Sequence, residues 1–437
     1  MSLGNVDKSV PNNVEAHWFK FDNAATIYPA SRTRNWSNTY RMGFVMKEDI
    51  DPVLLQQAVD EVYPYAKYFF SHASHGLFWD YLERTENTKI VAEESSYPCR
   101  PFDIFDVTRP AIRILYYKRR LCLEIFHGIG DGFSGLMLIK TIAAKYLMLK
   151  GFDIPNNGEF ISLDTGIAPE ELEDNYKKNY TPVQNASRAE ANAYQVKAKK
   201  IPNYFRVVQG ITPVSDLKKL ASEKGLTITD YLLTVYLYVL YLNAPKPYKK
   251  EIKVSVPISL RPIFKEKSLR NFSLFTNIGF LPSETKSTGF DDIAEMIKGK
   301  LKEGSQKEEL LKAISLNVGA ADSPFIRFMP IAVKTQILKF AFKYVGQEKI
   351  TSSMTNLGVA NIPPEMKPHI DRVEALLGGT PSKRISCAII SDGHTLTISF
   401  TGDNKNVNIQ RDFFRYIAEQ GARIRIECNC KESWEEP

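Results

Sequence analysis

The sequence of 437 residues predicts an α/β protein of two halves, each a two-layer sandwich of helices packed on a mixed sheet. Strand-like and helix-like periodicities occur together in both halves. The chain is 43% hydrophobic and 24% charged, which is the composition of a globular protein with ample core. A polar stretch separates the halves. We therefore expect an N-terminal domain over 1–165, a crossover over 166–200 and a C-terminal domain over 201–437.

Capping and turn residues predict the elements of the N-terminal half. Asp51 is a suitable N-cap and Pro52 fits the first helical position, so a helix begins there. Two apolar segments on either side of a basic turn predict a hairpin with strands at 112–117 and 121–126. A helix is expected next, from about Phe133 to Lys150.

The crossover and the C-terminal half show similar signals. Residues 152–200 are polar and charged, so we expect a connection with at most a short helix. Thr229 or Asp230 can cap a helix through 231–240, which is apolar nearly all round and therefore buried. Alternation and turn residues predict further strands at 253–259, 386–390 and 395–400.

Charge and hydropathy argue against several kinds of partner. The net charge of +7 comes from basic residues that are scattered rather than clustered, and no nucleic-acid-binding motif is present. No stretch reads as long and apolar enough to cross a membrane. We expect small-molecule partners, with no nucleic acid and no membrane among them.

The cysteines and the N-terminus indicate the compartment. Five cysteines are an odd number spread over a long chain, which is typical of a reducing environment. Residues 1–13 lack the basic start and apolar core of a signal peptide. We expect a cytoplasmic protein. Cys428 and Cys430 are expected to be exposed thiols in a frayed terminus.

The segment from Leu121 to Gly135 is the most informative part of the sequence. A strand ends at His127, and Gly128 and Gly130 permit a tight turn and close approach of a ligand to the backbone. Asp131 and Gly132 then open a helix. This arrangement holds an imidazole at the rim of a sheet, where it can meet a substrate.

Plainer interpretations stand beside each signal. His127 alone would be read as a core histidine satisfied by the backbone, and Asp131 as a helix N-cap. The pair His72-x-x-His75 has no accompanying cysteine or carboxylate cluster at ligand spacing, so we expect no metal site. The glycines from Gly128 to Gly132 miss the G-x-G-x-x-G spacing of dinucleotide-binding loops.

His127-x-x-x-Asp131-Gly132 resembles the HxxxDG signature of the CoA-dependent acyltransferase superfamily. Three later segments match that family in order: 254–262, a strand ending near Arg261; 271–279; and 352–358, similar to the S-N-x-G segment with Thr355 in place of serine. The resemblance covers about residues 15–420 and is closest to bacterial alcohol-acetyltransferase-like and condensation-like proteins. It implies two chloramphenicol-acetyltransferase-like sandwiches with an active-site tunnel between them.

The resemblance also implies roles for residues. His127 would be the general base, and Asp131 would point away from the pocket and form a salt bridge with Arg261. Gly132 belongs to the motif. Thr355, Asn356 and Gly358 are candidates for contacts with the oxyanion or the pantetheine arm. For Arg261 a surface charge, and for the 355–358 segment a plain turn, remain alternatives.

Three functions are compatible with these residues. The first is transfer of an acyl group, with acetyl favoured, from a CoA co-substrate to a small alcohol or amine by a monomeric enzyme without a tightly bound cofactor. The second is a condensation-like reaction with a thioester on an acyl carrier protein. The third is a catalytically silent relative that acts as a binding or regulatory module. The acceptor itself cannot be read from the sequence.

Overall fold

The computed structural model describes residues 16–34, 36–183, 190–197, 199–201, 204–285, 287–379 and 385–429. The N-terminal residues 1–13 and Cys430, on which predictions were made, lie outside the described residues. The strands, numbered in chain order, are β1 (Trp18–Lys20), β2 (Thr39–Met46), β3 (Ser71–His75), β4 (Asp80–Arg84), β5 (Val91–Glu93), β6 (Ile112–Tyr117), β7 (Arg120–Phe126), β8 (Arg206–Pro213), β9 (Ile252–Ser259), β10 (Ser273–Phe280), β11 (Ser352–Val359), β12 (Ile370–Leu377), β13 (Ser386–Ser391), β14 (Thr395–Gly402) and β15 (Arg425–Cys428).

The helices cover the faces of the sheets and form the connections between strands. They are α1 (Ile27–Ser31), α2 (Pro52–Val62), α3 (Gly132–Leu149), α4 (Asn175–Lys178), α5 (Val214–Glu223), α6 (Ile228–Leu242), α7 (Arg261–Phe264), α8 (Phe290–Gly304), α9 (Lys307–Asp322), α10 (Pro324–Arg327), α11 (Ile331–Ala341) and α12 (Asn408–Glu419). A π-helical turn over Phe342–Gly346 extends α11. Short 3₁₀ turns occur at Tyr63–Tyr65, Lys67–Phe69, Pro169–Leu172, Gln347–Lys349 and Lys367–His369.

Two large mixed sheets organise the chain, as the sequence predicted. The first has the order β12-β2-β7-β6-β5 and the second the order β10-β9-β11-β13-β14-β8-β15, while β1, β4 and β3 form a small third sheet. Each large sheet combines parallel with antiparallel pairs, for example β5 with β6 and β6 with β7. Helices α2 and α3 pack in the core of the first sheet, and α5, α6 and α12 in that of the second.

One strand connects the two halves. β12 comes from the C-terminal part of the chain but pairs antiparallel with β2 in the first sheet. The second sheet lies against it, since Thr397 and Thr401 on β14 donate to the backbone carbonyls of Val373 and Leu377 at 2.8 and 2.7 Å. The predicted domain ranges stay a prediction. β12 falls within the predicted C-terminal domain but belongs to the sheet of the N-terminal half.

Several local predictions are confirmed. Asp51 caps α2 by accepting hydrogen bonds from the backbone N–H groups of Val53 and Leu54. The hairpin of β6 and β7 turns at Lys118, whose φ of 49° lies in the left-handed region. The hairpin of β13 and β14 turns at Gly393, with a φ of 98°.

The predicted cap of α6 is wrong by two or three residues. The N-cap is Thr227, whose hydroxyl accepts from the N–H of Asp230, while the carboxylate of Asp230 accepts from the N–H of Thr227. This capping box places Asp230 at the third helical position rather than at the cap.

The prediction that no segment has the length and hydropathy of a membrane span is wrong for α3. Its 18 residues pass that test by composition, and α5 with α6 passes as a pair bent by 79°. However, 72% of α3 is buried in the first core, which is typical of the central helix of a globular protein.

The view of Cys428 as part of a frayed terminus is also wrong. Cys428 is exposed, but it ends β15, which pairs with β8 at the edge of the second sheet. Cys99, Cys122 and Cys387 are buried, and none of these four described cysteines forms a disulfide.

Candidate active site

His127 lies directly after β7, where the first sheet meets the connection between β9 and β10. Its backbone N–H donates to the carbonyl of Asn38 at 2.8 Å, which fixes the end of the strand. The ring lies 4.6 Å from that of Tyr28 and 5.1 Å from that of Tyr40, centroid to centroid. The residue retains some solvent exposure, whereas Phe126 and Gly128 on either side of it are buried.

A buried chain of hydrogen bonds fixes the orientation of the imidazole. Nδ1 of His127 is 3.0 Å from Oδ1 of Asn271, and Nδ2 of Asn271 donates to Oδ2 of Asp22 at 3.0 Å. Because a carboxylate accepts but does not donate, Asp22 holds the asparagine with its carbonyl oxygen towards His127. The proton of the neutral imidazole therefore sits on Nδ1, and Nε2 carries the lone pair.

The surroundings keep His127 neutral and raise the pKa of Asp22. Burial lowers the pKa of His127 below its ordinary 6.5, and this effect exceeds the opposing influence of Asp131 and Asn271. Burial also raises the pKa of Asp22 to about 6, although Arg270, 3.8 Å away, opposes it. The imidazole can therefore accept a proton at neutral pH.

Asp131 pairs with Arg261, the salt bridge that the resemblance implied. Nη1 and Nη2 of Arg261 lie 2.8 and 2.9 Å from the two carboxylate oxygens. Both residues are buried, with 5% and 8% of their surface exposed. The pair joins the start of α3 to α7, and so the two halves of the chain.

The partners of this ion pair satisfy its remaining hydrogen-bonding groups. The backbone N–H of Phe272 and the hydroxyl of Ser134 each donate to Asp131 at 3.1 Å. Arg261 donates further to the carbonyls of Ser268 and Arg270 at 2.8 and 2.7 Å. Burial alone would raise the pKa of Asp131, but Arg261 and the Phe272 N–H hold it below its usual value.

Tyrosine hydroxyls fix the loop between His127 and α3. Tyr40 donates to the carbonyls of Gly130, at 3.0 Å, and of Asp131. Tyr68 donates to the carbonyl of Ile129 at 2.7 Å. Nothing in the motif itself indicated these two tyrosines, because they lie 61 to 91 residues earlier in the chain.

The glycines of the loop lie against side chains of the protein itself. Gly128, Gly130 and Gly132 do not have a positive φ, and it is the protein's own side chains that approach them. A Cβ at Gly130 would lie 2.6 Å from that of Ser134, and one at Gly132 would lie 2.6 Å from Cδ2 of Leu357. Close packing of the loop thus accounts for Gly130 and Gly132, and close approach by a ligand stays a prediction.

The segment with Thr355, Asn356 and Gly358 lies on β11, next to the loop through Leu357. Asn356 donates to the hydroxyl of Thr229 at 2.9 Å and accepts from the N–H of Gly358 at 2.9 Å. Its amide is thus occupied within the second half of the chain. The segment is a strand with an irregular register after Asn356, rather than the plain turn that was the alternative.

The structure separates the side chains of His72 and His75. Both residues lie on β3, where side chains three apart point to opposite faces of the sheet. Nδ1 of His75 lies 2.7 Å from Asp80, and its ring stacks on Phe105 at 4.0 Å. The two imidazoles therefore do not converge.

Solved structures show which fold this is, although no protein-family model and no curated protein matches the sequence. Polyketide synthase associated protein 5 from Mycobacterium tuberculosis aligns with a TM-score of 0.59 and 14% identity, over 91% of this chain and 96% of that one. The first condensation domain of the CDA synthetase gives 0.58 and 12%, over 94% and 96%. Trichothecene 15-O-acetyltransferase from Fusarium sporotrichioides gives 0.58 and 11%, over 96% and 99%.

Structural similarity at such low sequence identity establishes the fold but not the reaction. The neighbours include condensation domains and an acetyltransferase, two kinds of protein built on the same pair of sandwiches. The chain therefore has the chloramphenicol acetyltransferase-like fold.

Proposed function

We propose that this chain is an acyltransferase that moves an acyl group, acetyl being the expected one, from a CoA thioester to a hydroxyl or amine, with His127 as general base. The observation that carries the proposal is the state of the imidazole. Burial keeps it neutral, Asn271 engages Nδ1, and Nε2 is left as the basic nitrogen of a residue that retains some solvent exposure.

The proposed reaction needs one proton shuttle. The acceptor oxygen or nitrogen attacks the thioester carbonyl carbon as its proton moves to Nε2 of His127. The C–S bond of the tetrahedral intermediate then breaks, and the imidazolium returns the proton to the leaving thiolate. Since the thioester is already activated, base catalysis and positioning of the two substrates carry the rate.

Thr355 is the proposed contact for the oxyanion or for the pantetheine arm. It lies on β11 two residues before Leu357, which packs against Gly132 of the motif loop. Its hydroxyl is a suitable donor for a developing negative charge. Asn356 and Gly358 are weaker candidates, because they bond to each other. We propose that the substrates meet in a passage between the two halves, where His127 lies.

A carrier-bound thioester is the second candidate donor. Condensation domains align with this chain as well as the acetyltransferase does, with the same TM-score of 0.58. The base and its partners would serve either donor equally. We favour free CoA as the donor and a monomeric enzyme. The free cysteines support a cytoplasmic location.

Thiol release measures the proposed reaction directly. Purified protein is incubated with acetyl-CoA and a panel of alcohols and amines, and CoA thiol is followed with a chromogenic disulfide. Release that depends on the acceptor supports transfer from free CoA. Turnover only with an acetylated carrier protein would show that the donor is the carrier-bound thioester and not free CoA. Tight binding of acyl-CoA without turnover for any combination of donor and acceptor would contradict the enzyme proposal.

Replacing Asn271 with alanine should lower the rate and shift its pH dependence. A neutral hydrogen bond contributes about 1 kcal/mol, so we expect a loss of roughly fivefold at the plateau as the imidazole gains access to the wrong tautomer. Because the bond to Asn271 raises the pKa of His127, its loss should move the rising limb of the pH profile to lower pH. The rate of acyl transfer between about pH 4.5 and 8 measures both effects.

Asn243 provides the matched control for this substitution. Asn243 caps the C-terminal end of α6, and its partly buried amide donates to the carbonyl of Val239 and the carboxylate of Asp412. Asn243→Ala should therefore change stability without moving the pH profile. An unchanged profile in Asn271→Ala would show that Asn271 does not orient the base.

A further inference from the structure

Helices α10 and α11 and the turn after them expose apolar side chains interspersed with basic ones. We call this surface the apolar–basic face; its members are Phe325, Phe328, Val333, Ile337, Phe340, Tyr344, Val345, Arg327, Lys339 and Lys343. Single exposed apolar residues are ordinary, but a continuous set on one segment marks a surface that binds something apolar.

Helix α11 packs with its apolar stripe outwards. Val333, Ile337 and Phe340 follow the spacing of one face of α11, Tyr344 follows in the π-helical turn, and each of the four is exposed. Phe340 has 63% of its surface exposed. An amphipathic helix of a globular protein normally packs its apolar stripe against the core. The exposed stripe of α11 is therefore available to contact an apolar partner.

A lysine occupies the inward side of the same helix. Lys334 is buried, its ammonium lies 3.2 Å from the centroid of the Trp79 ring, and it donates to the carbonyl of Phe78 at 2.7 Å. These contacts anchor the helix to the turn between β3 and β4. The orientation of α11 is therefore fixed by the rest of the protein.

The β3–β4 turn extends the apolar–basic face. Leu77 is 73% exposed, and its carbonyl accepts from the N–H of Ile331 at the start of α11. The rings of Phe78 and Phe328 are 6.4 Å apart. Two separate parts of the chain thus present apolar side chains at one place.

The charges of the segment have one sign. Residues 324–345 contain Arg327, Lys334, Lys339 and Lys343 but no aspartate or glutamate. Arg327, Lys339 and Lys343 are exposed. Exposed cations next to aromatic and aliphatic side chains are the pattern of helices that lie in the headgroup region of an anionic bilayer.

We propose that the apolar–basic face docks this protein on an anionic membrane surface, without crossing it. A second copy of the chain fits less well, because a two-fold contact would bring the same cations of both copies together. The proposal does not depend on the proposed acyl transfer. It departs from the expectation that membranes are not among the partners.

A cavity borders the apolar–basic face. Its volume is about 820 Å³, and its lining combines aromatic residues with charged ones: Phe78, Trp79, Tyr81 and Phe328, and Lys20, Asp80, Glu83, Asp174, Lys177 and Arg327. Because charged groups of both signs line it, the cavity is not part of the proposed apolar contact with the bilayer.

Vesicle flotation tests the proposal with the full chain. We expect binding to phosphatidylcholine vesicles that contain about 30% phosphatidylserine, and at least tenfold weaker binding to pure phosphatidylcholine. Phe328→Ser/Phe340→Ser should reduce binding at least tenfold. Lys339→Gln/Lys343→Gln should reduce it about fivefold per lysine and flatten its salt dependence.

Matched variants distinguish binding through the apolar–basic face from nonspecific adsorption to the vesicles. Val53 and Leu242 are 74% and 58% exposed on other helices, so Val53→Ser/Leu242→Ser should bind like the wild type. Lys47→Gln/Lys218→Gln, which also removes two exposed lysines, controls for net charge. Binding that survives Phe328→Ser/Phe340→Ser would overturn the proposal. So would a concentration-dependent dimer without vesicles that those two substitutions abolish.

Discussion

Replacing His127 with alanine is expected to reduce acyl transfer by roughly 10²–10⁴-fold, the contribution of a positioned general base. The wild-type rate should rise with pH through a pKa below 6.5 and stay flat above it, since only the neutral imidazole accepts a proton and burial lowers its pKa. The alanine variant should lose this rising limb. Steady-state thiol release from acetyl-CoA across the pH range measures both effects.

The control variants separate chemistry from folding. His127→Gln keeps polar atoms beside Asn271 but offers no basic nitrogen, so it should be as slow as the alanine variant. His394 lies exposed in the turn between β13 and β14, and His394→Ala should transfer acyl groups at the wild-type rate. If His127→Gln retained full activity, the imidazole would not be the base.

The site was predictable where its signals are local in the sequence. A strand, a histidine, two glycines and an aspartate that opens a helix occur together from Leu121 to Gly135, and the structure keeps that order. Resemblance was needed for Arg261, which lies 130 residues from its partner Asp131. No spacing rule connects residues that far apart.

The hydrogen-bond chain behind His127 could not be predicted. Asp22 and Asn271 are 249 residues apart and come together only because β1 and the connection before β10 both reach the end of β7. A buried aspartate in a short N-terminal segment gives no signal of its own. The resemblance included the segment 271–279 but implied no role for its first residue, Asn271, which lies just before β10.

One feature was predicted wrongly and another could not be predicted. The cap of α6 was misplaced because Thr229 or Asp230 was read as the cap, although Thr227-x-x-Asp230 is a capping box in which the acidic residue takes the third helical position. The place of β12 was not predictable, because alternation indicates a strand but not the sheet that it joins.

Arg261→Met is expected to lower the free energy of unfolding by about 3–5 kcal/mol, the effect of removing one partner from a buried ion pair. The guanidinium of Arg261 lies 4.6 Å from the centroid of the Phe133 ring. Methionine keeps the apolar part of the side chain but leaves Asp131 as an uncompensated buried charge. Denaturant unfolding followed by circular dichroism measures the change at constant m-value.

A double variant and a control at a surface ion pair show whether the buried charge causes the loss of stability in Arg261→Met. Adding Asp131→Asn to Arg261→Met removes the stranded carboxylate and should recover part of the loss. Arg423 and Asp216 form a pair of the same bidentate kind on the surface, so Arg423→Ala should cost at most about 1 kcal/mol.

The pH dependence of stability gives an independent measure of the Asp131–Arg261 pair. Since the pKa of Asp131 in the folded state is lowered from 3.8, its contribution to the wild type is complete above about pH 4 and is lost as the pH falls through the lowered value. In Arg261→Met this contribution is absent, so the difference in unfolding free energy between the two proteins should shrink as the solution is acidified. A difference that stays constant down to about pH 2 would show that the loss comes from packing around α7 and not from the ion pair that joins the halves.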